Sequence, residues 1–137
     1  MASGVAVNDV CLQEYQALKL GKKHRYVIFN LNKDNTEITV EKVSSSADYD
    51  DFIADLPDTE CRWAVYDLKF EKNGGERNSI IFISWAPDAA KVKQKMLFAS
   101  SKDALRRSLT GIAVEVQGTE PSEVTRESLL DKANRAH

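Results

Sequence analysis

Apolar and polar positions along this chain follow two periods, and the changes from one to the other mark out its elements. Val10, Leu12, Tyr15 and Leu18 supply the apolar content of a helix that Asn8 or Asp9 can cap and Gly21 can end. Arg25 to Leu31 (RYVIFNL) reads as a strand, followed by the turn residues Asn32 to Asn35 (NKDN). From Glu37 to Val43, Ile38, Val40 and Lys42 alternate with Thr39, Glu41 and Val43, so a second strand completes a hairpin, although Val43 breaks the alternation. After a loop at Ser44 to Ser46, Tyr49 to Leu56 predicts a short helix with Phe52, Ile53 and Leu56 inward, closed by Pro57. Cys61 to Phe70 and Ser79 to Trp85 read as two strands joined by Asn73-Gly74-Gly75, a turn whose glycines tolerate positive φ. The apolar run Ile80 to Ile83 predicts a central strand buried on both sides. Ile112 to Val116 adds a strand, and Pro121 to Val124 and Glu127 to Arg135 are helical. This order predicts an α/β (α+β) architecture, a mixed sheet with helices on both faces.

The segment from Trp85 to Gly111 is the least ordinary. At about 100° per residue, Leu97, Phe98, Ala104, Leu105 and Leu109 gather on one side of a long helix, the side that packs on a core. The other side carries Val92, Lys95, Met96, Ala99, Asp103 and Arg106, with Lys93 and Arg107 beside them. Pro87 with Asp88 is expected to open the helix, and Gly111 to stop it. Periodicity leaves two accounts open: a solvated helix with stray apolar residues, since scattered surface hydrophobes are ordinary, or an interaction face.

Composition narrows the function classes. A chain of 137 residues with 42% hydrophobic and 29% charged positions fits one domain around one core. The formal net charge of -2 excludes the strongly basic balance of a protein whose main ligand is nucleic acid. No stretch is apolar enough to span a bilayer, and the start of the chain has neither a secretory pattern nor the glycine needed for myristoylation. Cys11 and Cys61, far apart and without a CxxC, are expected to be buried or half-buried free thiols.

Candidate chemistry is sparse. His24 and His137 are the only histidines, and no Walker loop, GxGxxG or GxSxG is present. Asp50, Asp51 and Asp55 lack the ligand spacing of a calcium loop and read as a solvated helix face. Tyr66-Asp67 beside Trp63 reads as sheet packing rather than a base-stacking platform. No nucleophile, base and charge stabiliser converge, so neither an enzyme nor a metal or cofactor site is expected.

The run WAPD followed by KVKQKMLFASSKDALRRSLTG closely resembles the long helix of the actin-depolymerising factor/cofilin family. MASGVAVND at the start, LKLGKKHRYVIFNL (Leu18 to Leu31), ADLPDTECRWAVYDL (Ala54 to Leu68) and VQGTEPSEVT (Val116 to Thr125) resemble it in the same order. The resemblance covers essentially the whole chain, residues 1–137, as one ADF-homology (gelsolin-like) domain with a flexible tail at about residues 1–7. It implies binding to actin monomers and filament sides, severing, and faster loss of subunits from filament ends, with no chemical step. By the same resemblance Ser3, Gly4, Val5, Lys93, Lys95, Met96, Arg106 and Arg107 are the residues for monomer and filament binding, and Ser3 is the regulatory phosphorylation site. Arg77, Asp131, Lys132 and Arg135 match a second, filament-specific surface, where Ser79 replaces a lysine carried by many members. Phosphatidylinositol bisphosphate is implied as a ligand of Lys93, Lys95, Lys102, Arg106 and Arg107. The family's basic nuclear-import insertion has no clear counterpart, since only Lys22, Lys23 and Arg25 lie near its place. A monomer of the cytoplasm and cytoskeleton is therefore expected. The alternatives are a side-binding, non-severing relative of the coactosin type and a lipid- or nucleic-acid-binding module.

Overall fold

Asn73 and Gly74 both adopt positive φ, 56° and 78°, and the register pairs Lys72 with Gly75 across them. That is the two-residue turn whose twist suits a right-handed hairpin. It joins β4 (Arg62–Lys72) to β5 (Gly75–Trp85), the two long central strands. The computed structural model describes residues 4–136. Its other strands are β1 (Ala6–Val7), β2 (Tyr26–Leu31), β3 (Glu37–Ser44) and β6 (Val114–Gly118). All six form one sheet in the order β1-β3-β2-β4-β5-β6, parallel at its two outer pairs and antiparallel between.

Because side chains alternate across a strand, the central pair feeds two cores. Trp63, Val65 and Phe82 point to one face, where α1 (Asp9–Lys19) contributes Cys11, Tyr15 and Leu18, and α3 (Val92–Ser108) contributes Phe98 and Leu105. Ala64, Tyr66, Leu68, Ile81 and Ile83 point to the other, beneath α2 (Tyr49–Ala54) and α4 (Arg126–Ala136), which supply Phe52, Leu129 and Ala133. The mixed sheet with helices on both faces is thus present, and Ile81 to Ile83 are buried as a central strand should be. A 3-10 turn, Pro121–Val124, precedes α4.

The broken alternation near Val43 has a cause in the register. Ile28 pairs with Lys42 but Phe29 with Val40, so Glu41 is an extra residue in a β-bulge. The bulge brings Val40 and Val43, three positions apart, against the same core.

Candidate functional site

The long helix begins later than its sequence suggested. Pro87 to Ala90 form a turn closed by the Ala90 amide donating to the Pro87 carbonyl at 2.9 Å. Lys91 is then extended (φ -64°, ψ 141°) as the helix cap, without a side-chain hydrogen bond. Pro87 and Asp88 therefore do not open the helix, and its first turn holds no acid. The chain must first leave the end of β5 and turn back over the sheet, and the Pro87 turn does this before helical geometry starts. The Asp88 carbonyl instead accepts from Lys95 Nζ at 3.0 Å. At the far end, Gly111 has φ 89°, and Thr110 is anchored to α1 by Tyr15 Oη at 2.6 Å and Lys19 Nζ at 3.0 Å, both donating to its carbonyl.

The two faces of α3 separate as the periodicity requires. Phe98 stacks on Trp63 with ring centroids 4.2 Å apart, and Leu105 and Leu109 are wholly buried. Leu97 and Ala104 are half-buried, and Ser101, absent from the predicted core face, is fully buried with no partner for its hydroxyl. On the outer side Val92 and Met96 are 70% and 66% exposed, and Ala99 continues their line. Offsets of four and three place these residues in one ridge along the helix. Lys93 and Arg107 are exposed at its edges; Lys95 and Lys102 are half-buried.

Arg106, expected among the docking cations, is half-buried and engaged within the fold. It forms an ion pair with Glu115 of β6 and also donates to the Leu109 carbonyl at 3.3 Å. No local signal could have revealed this, since the acid lies on another element that folds against the helix end.

Ser3 lies outside the described residues. Gly4 is exposed with φ 70°, whereas Val5 is only 4% exposed and part of the α3-side core. Val5 is therefore a packing residue and not a surface contact. Ala6 and Val7 pair with Glu37 and Ile38 of β3, so the tail expected over residues 1–7 does not extend to them. The edge of β3 offers unpaired groups, and the Ala6 and Asn8 amides take them, donating to the carbonyls of Thr36 and Ile38 at 3.0 and 2.9 Å. This short strand runs beside α3.

The second set of charges lies elsewhere. Arg77 is exposed on β5 near the hairpin, and Asp131, Lys132 and Arg135 are exposed on α4, with Asp131 and Arg135 paired across one helical turn. Lys72 Nζ donates to the Asn134 carbonyl at 2.6 Å and Arg126 to the Lys69 carbonyl at 3.2 Å, holding α4 to β4. Ser79 is 1% exposed, paired with Leu68, and its hydroxyl has no partner. Asp67, which the sequence presented only as sheet packing, is a buried acid accepting from Asn78 at 3.0 Å and Lys22 at 3.4 Å. It ties the loop after α1 to both hairpin strands.

Both thiols are withdrawn from the surface. Cys11 and Cys61 are buried free thiols, and burial pushes Cys11 up to about 11, so it stays protonated at neutral pH. Burial likewise pushes Tyr15 up to about 12 and raises Tyr49 and Tyr66. Among the described residues no group of His, Cys, Asp and Glu could hold a metal ion, and no helix is long and apolar enough to cross a membrane.

Comparison with known proteins gives consistent findings. Residues 4–134 match the family described as cofilin/tropomyosin-type actin-binding protein. The chain is 57% identical over 137 residues to cofilin of Mycosarcoma maydis, covering 99% of each. It is 66% identical to the crystal structure of Streptomyces griseoflavus cofilin, with a TM-score of 0.93 covering 98% of this chain and 100% of the other. A coactosin from Entamoeba histolytica superposes with a TM-score of 0.85, covering 98% of each chain, at only 17% identity, a likeness of fold alone.

Proposed function

This chain belongs to the cofilin/actin-depolymerising-factor family, and from that premise we infer that it binds actin monomers and filaments, severs filaments and accelerates their depolymerisation. The observation that carries the placement of the site is the ridge of Val92, Met96 and Ala99, left exposed on a helix whose opposite side is core. Such a ridge rimmed by Lys93, Lys95 and Arg107 suits an apolar cleft with acidic edges. The flexible methionine adapts to the cleft while the cations steer and orient the encounter. Gly4, exposed just ahead of β1, is assigned to the same surface by the family resemblance. Ser3 precedes it in the chain, and its phosphorylation would add about two negative charges to that segment. Val5 contributes by fixing the segment in the core, and Arg106 by tying α3 to β6.

Filament binding adds the separate surface of Arg77, Lys132 and the Asp131–Arg135 pair, on the α4 side of the sheet. With the buried Ser79 in place of a family lysine, that surface carries one charge fewer. A phosphatidylinositol bisphosphate headgroup would use Lys93, Lys95, Lys102 and Arg107 and so compete with actin. The protein acts by binding, not as an enzyme, and works as a monomer on the cytoplasmic actin cytoskeleton. High identity to cofilins, against 17% to a coactosin, favours the severing reading over the side-binding one.

Co-sedimentation with filaments and a pyrene disassembly assay test the assignment. The double variant Lys93→Ala with Lys95→Ala is expected to pellet poorly and to slow disassembly. Unchanged binding would show that the site has been placed on the wrong face.

A further inference from the structure

On the face of the sheet opposite α3, a groove of 460 Å³ runs between α2 and the start of α4. Tyr49 and Ile53 of α2, both half-buried, and the exposed Pro121 of the 3-10 turn supply its apolar surface. Most of its polar side chains are already satisfied within the fold. Tyr49 donates its hydroxyl proton to the Val124 carbonyl, and Ser122 donates to Glu120 at 2.7 Å. The Thr125 hydroxyl accepts from the Ser128 amide at 3.1 Å, and Arg126 donates to the Lys69 carbonyl at 3.2 Å. Asp50 on the α2 wall and Glu127 on the α4 wall are different: both are exposed, and neither carboxylate has a hydrogen bond or ion pair among the described residues. A smaller hollow of 40 Å³ shares Ile53 and Pro121 with the groove and prolongs it to Asp58, a third exposed carboxylate without a partner. Arg126 is the one cation among the described residues that lines either hollow.

We propose that this groove docks a basic, extended segment of a partner protein, with a bulky apolar side chain against Tyr49, Ile53 and Pro121 and cations on Asp50 and Glu127. Charge selects the occupant: where the unpartnered side chains are carboxylates, acidic segments and phosphate-bearing ligands are repelled and cations attracted. The apolar floor adds what a merely acidic surface lacks, a fixed place for one side chain. The course of the groove, from Glu127 past Pro121 to Asp58, suits a length of chain better than a compact molecule. In an extended segment the residues two positions to either side of the apolar one face the same way, so its cations belong there. The groove shares no residue with the α3 ridge, the phosphoinositide lysines or the charges assigned to filament binding, and the proposal does not rest on the actin reading.

The full chain is titrated, with fluorescence anisotropy as readout, against three end-capped peptides carrying fluorescein: Arg-Ser-Leu-Ser-Arg, Arg-Ser-Gly-Ser-Arg as charge without the apolar anchor, and Gln-Ser-Leu-Ser-Gln as the anchor without charge. Saturable binding of the first is expected, with each control about tenfold weaker, since two exposed ion pairs together and a partly buried leucine are each worth about that factor. In amide NMR of the isotope-labelled protein, the shifts caused by the unlabelled first peptide should gather at Tyr49 to Ile53 and Ser122 to Glu127. Asp50→Asn combined with Glu127→Gln should weaken the first peptide about tenfold and leave the glutamine peptide unchanged. Both positions are exposed, so the thermal melt should stay cooperative, and either single variant should show about a threefold loss. Equal affinity for the glycine peptide would reduce the groove to unspecific attraction, and equal affinity for the glutamine peptide would make it a purely apolar site. An unaffected double variant, or shifts centred on α3, would put the binding elsewhere. Any of these results, or no binding at all, overturns the proposal. The titrations contain no actin, so their failure leaves the actin assignment standing.

Discussion

Replacing Met96 with alanine should separate the two jobs of α3, because this side chain is 66% exposed while Leu105, on the opposite side, is wholly buried. Complete burial of a methionine is worth roughly 1.5–3 kcal/mol. With two-thirds of that surface still in water, docking into an apolar cleft can gain about 1–2 kcal/mol from it, a factor of roughly 5–30 in Kd. Folding stability should hardly change: alanine is at least as good a helix former, and exposed substitutions usually stay within about 0.5 kcal/mol. Leu105→Ala should do the reverse to stability, costing about 2–5 kcal/mol through lost burial and a residual cavity. The assay pairs filament co-sedimentation, at several protein concentrations, with urea unfolding of both variants. If Met96→Ala bound actin as tightly as the parent, the exposed ridge would not be the docking surface. If it instead lost several kcal/mol of stability, the assignment of the outer face would itself be wrong.

Other substitutions probe the fold that holds this helix. Ser101→Ala should stabilise the protein by a few tenths to about 1 kcal/mol, because it removes a buried hydroxyl with no partner and improves helix propensity; a clear loss on urea unfolding would contradict the unpaired hydroxyl. At Asp55, burial raises the carboxyl, but hydrogen bonds from Lys42 and Tyr26 outweigh it and hold the folded pKa below its ordinary value. Its stabilisation is therefore present above about pH 4 and lost as pH falls through the folded value. Asp55→Asn should melt lower at neutral pH and show a shallower drop in Tm on acidification, and identical acid slopes would refute the contribution. Cys11, with its thiol pushed up to about 11, should resist an aromatic disulfide reagent in the native protein at pH 8 and react on unfolding; rapid native labelling of this thiol would show that the α1-side core is open.

Much of the architecture was legible locally. Asn73-Gly74 named its own turn because its positive φ angles need those residue types, and Cys61 to Phe70 read as a strand before either core it feeds was known. The helical period likewise set Phe98, Leu105 and Leu109 apart from Val92 and Met96. These features depend on neighbours within a few residues, which a sequence displays directly.

Contacts between distant segments followed no such period. The parallel pairing of Ala6–Val7 with β3 and the burial of Val5 answer the needs of a sheet edge some thirty residues further on, so a segment that read as tail became structure. Likewise Pro87 and Asp88 looked like a helix start because proline and acid favour one, but the path from β5 back over the sheet required a turn there first. By itself the sequence determined the order of elements, the two-faced long helix and the family. Tertiary structure alone decided that Arg106 meets Glu115, that Asp67 is buried against Lys22 and Asn78, and that Tyr49, Ile53 and Pro121 line one groove. Local periodicity fixes which way a side chain points, but only the closing of the chain on itself fixes what it meets.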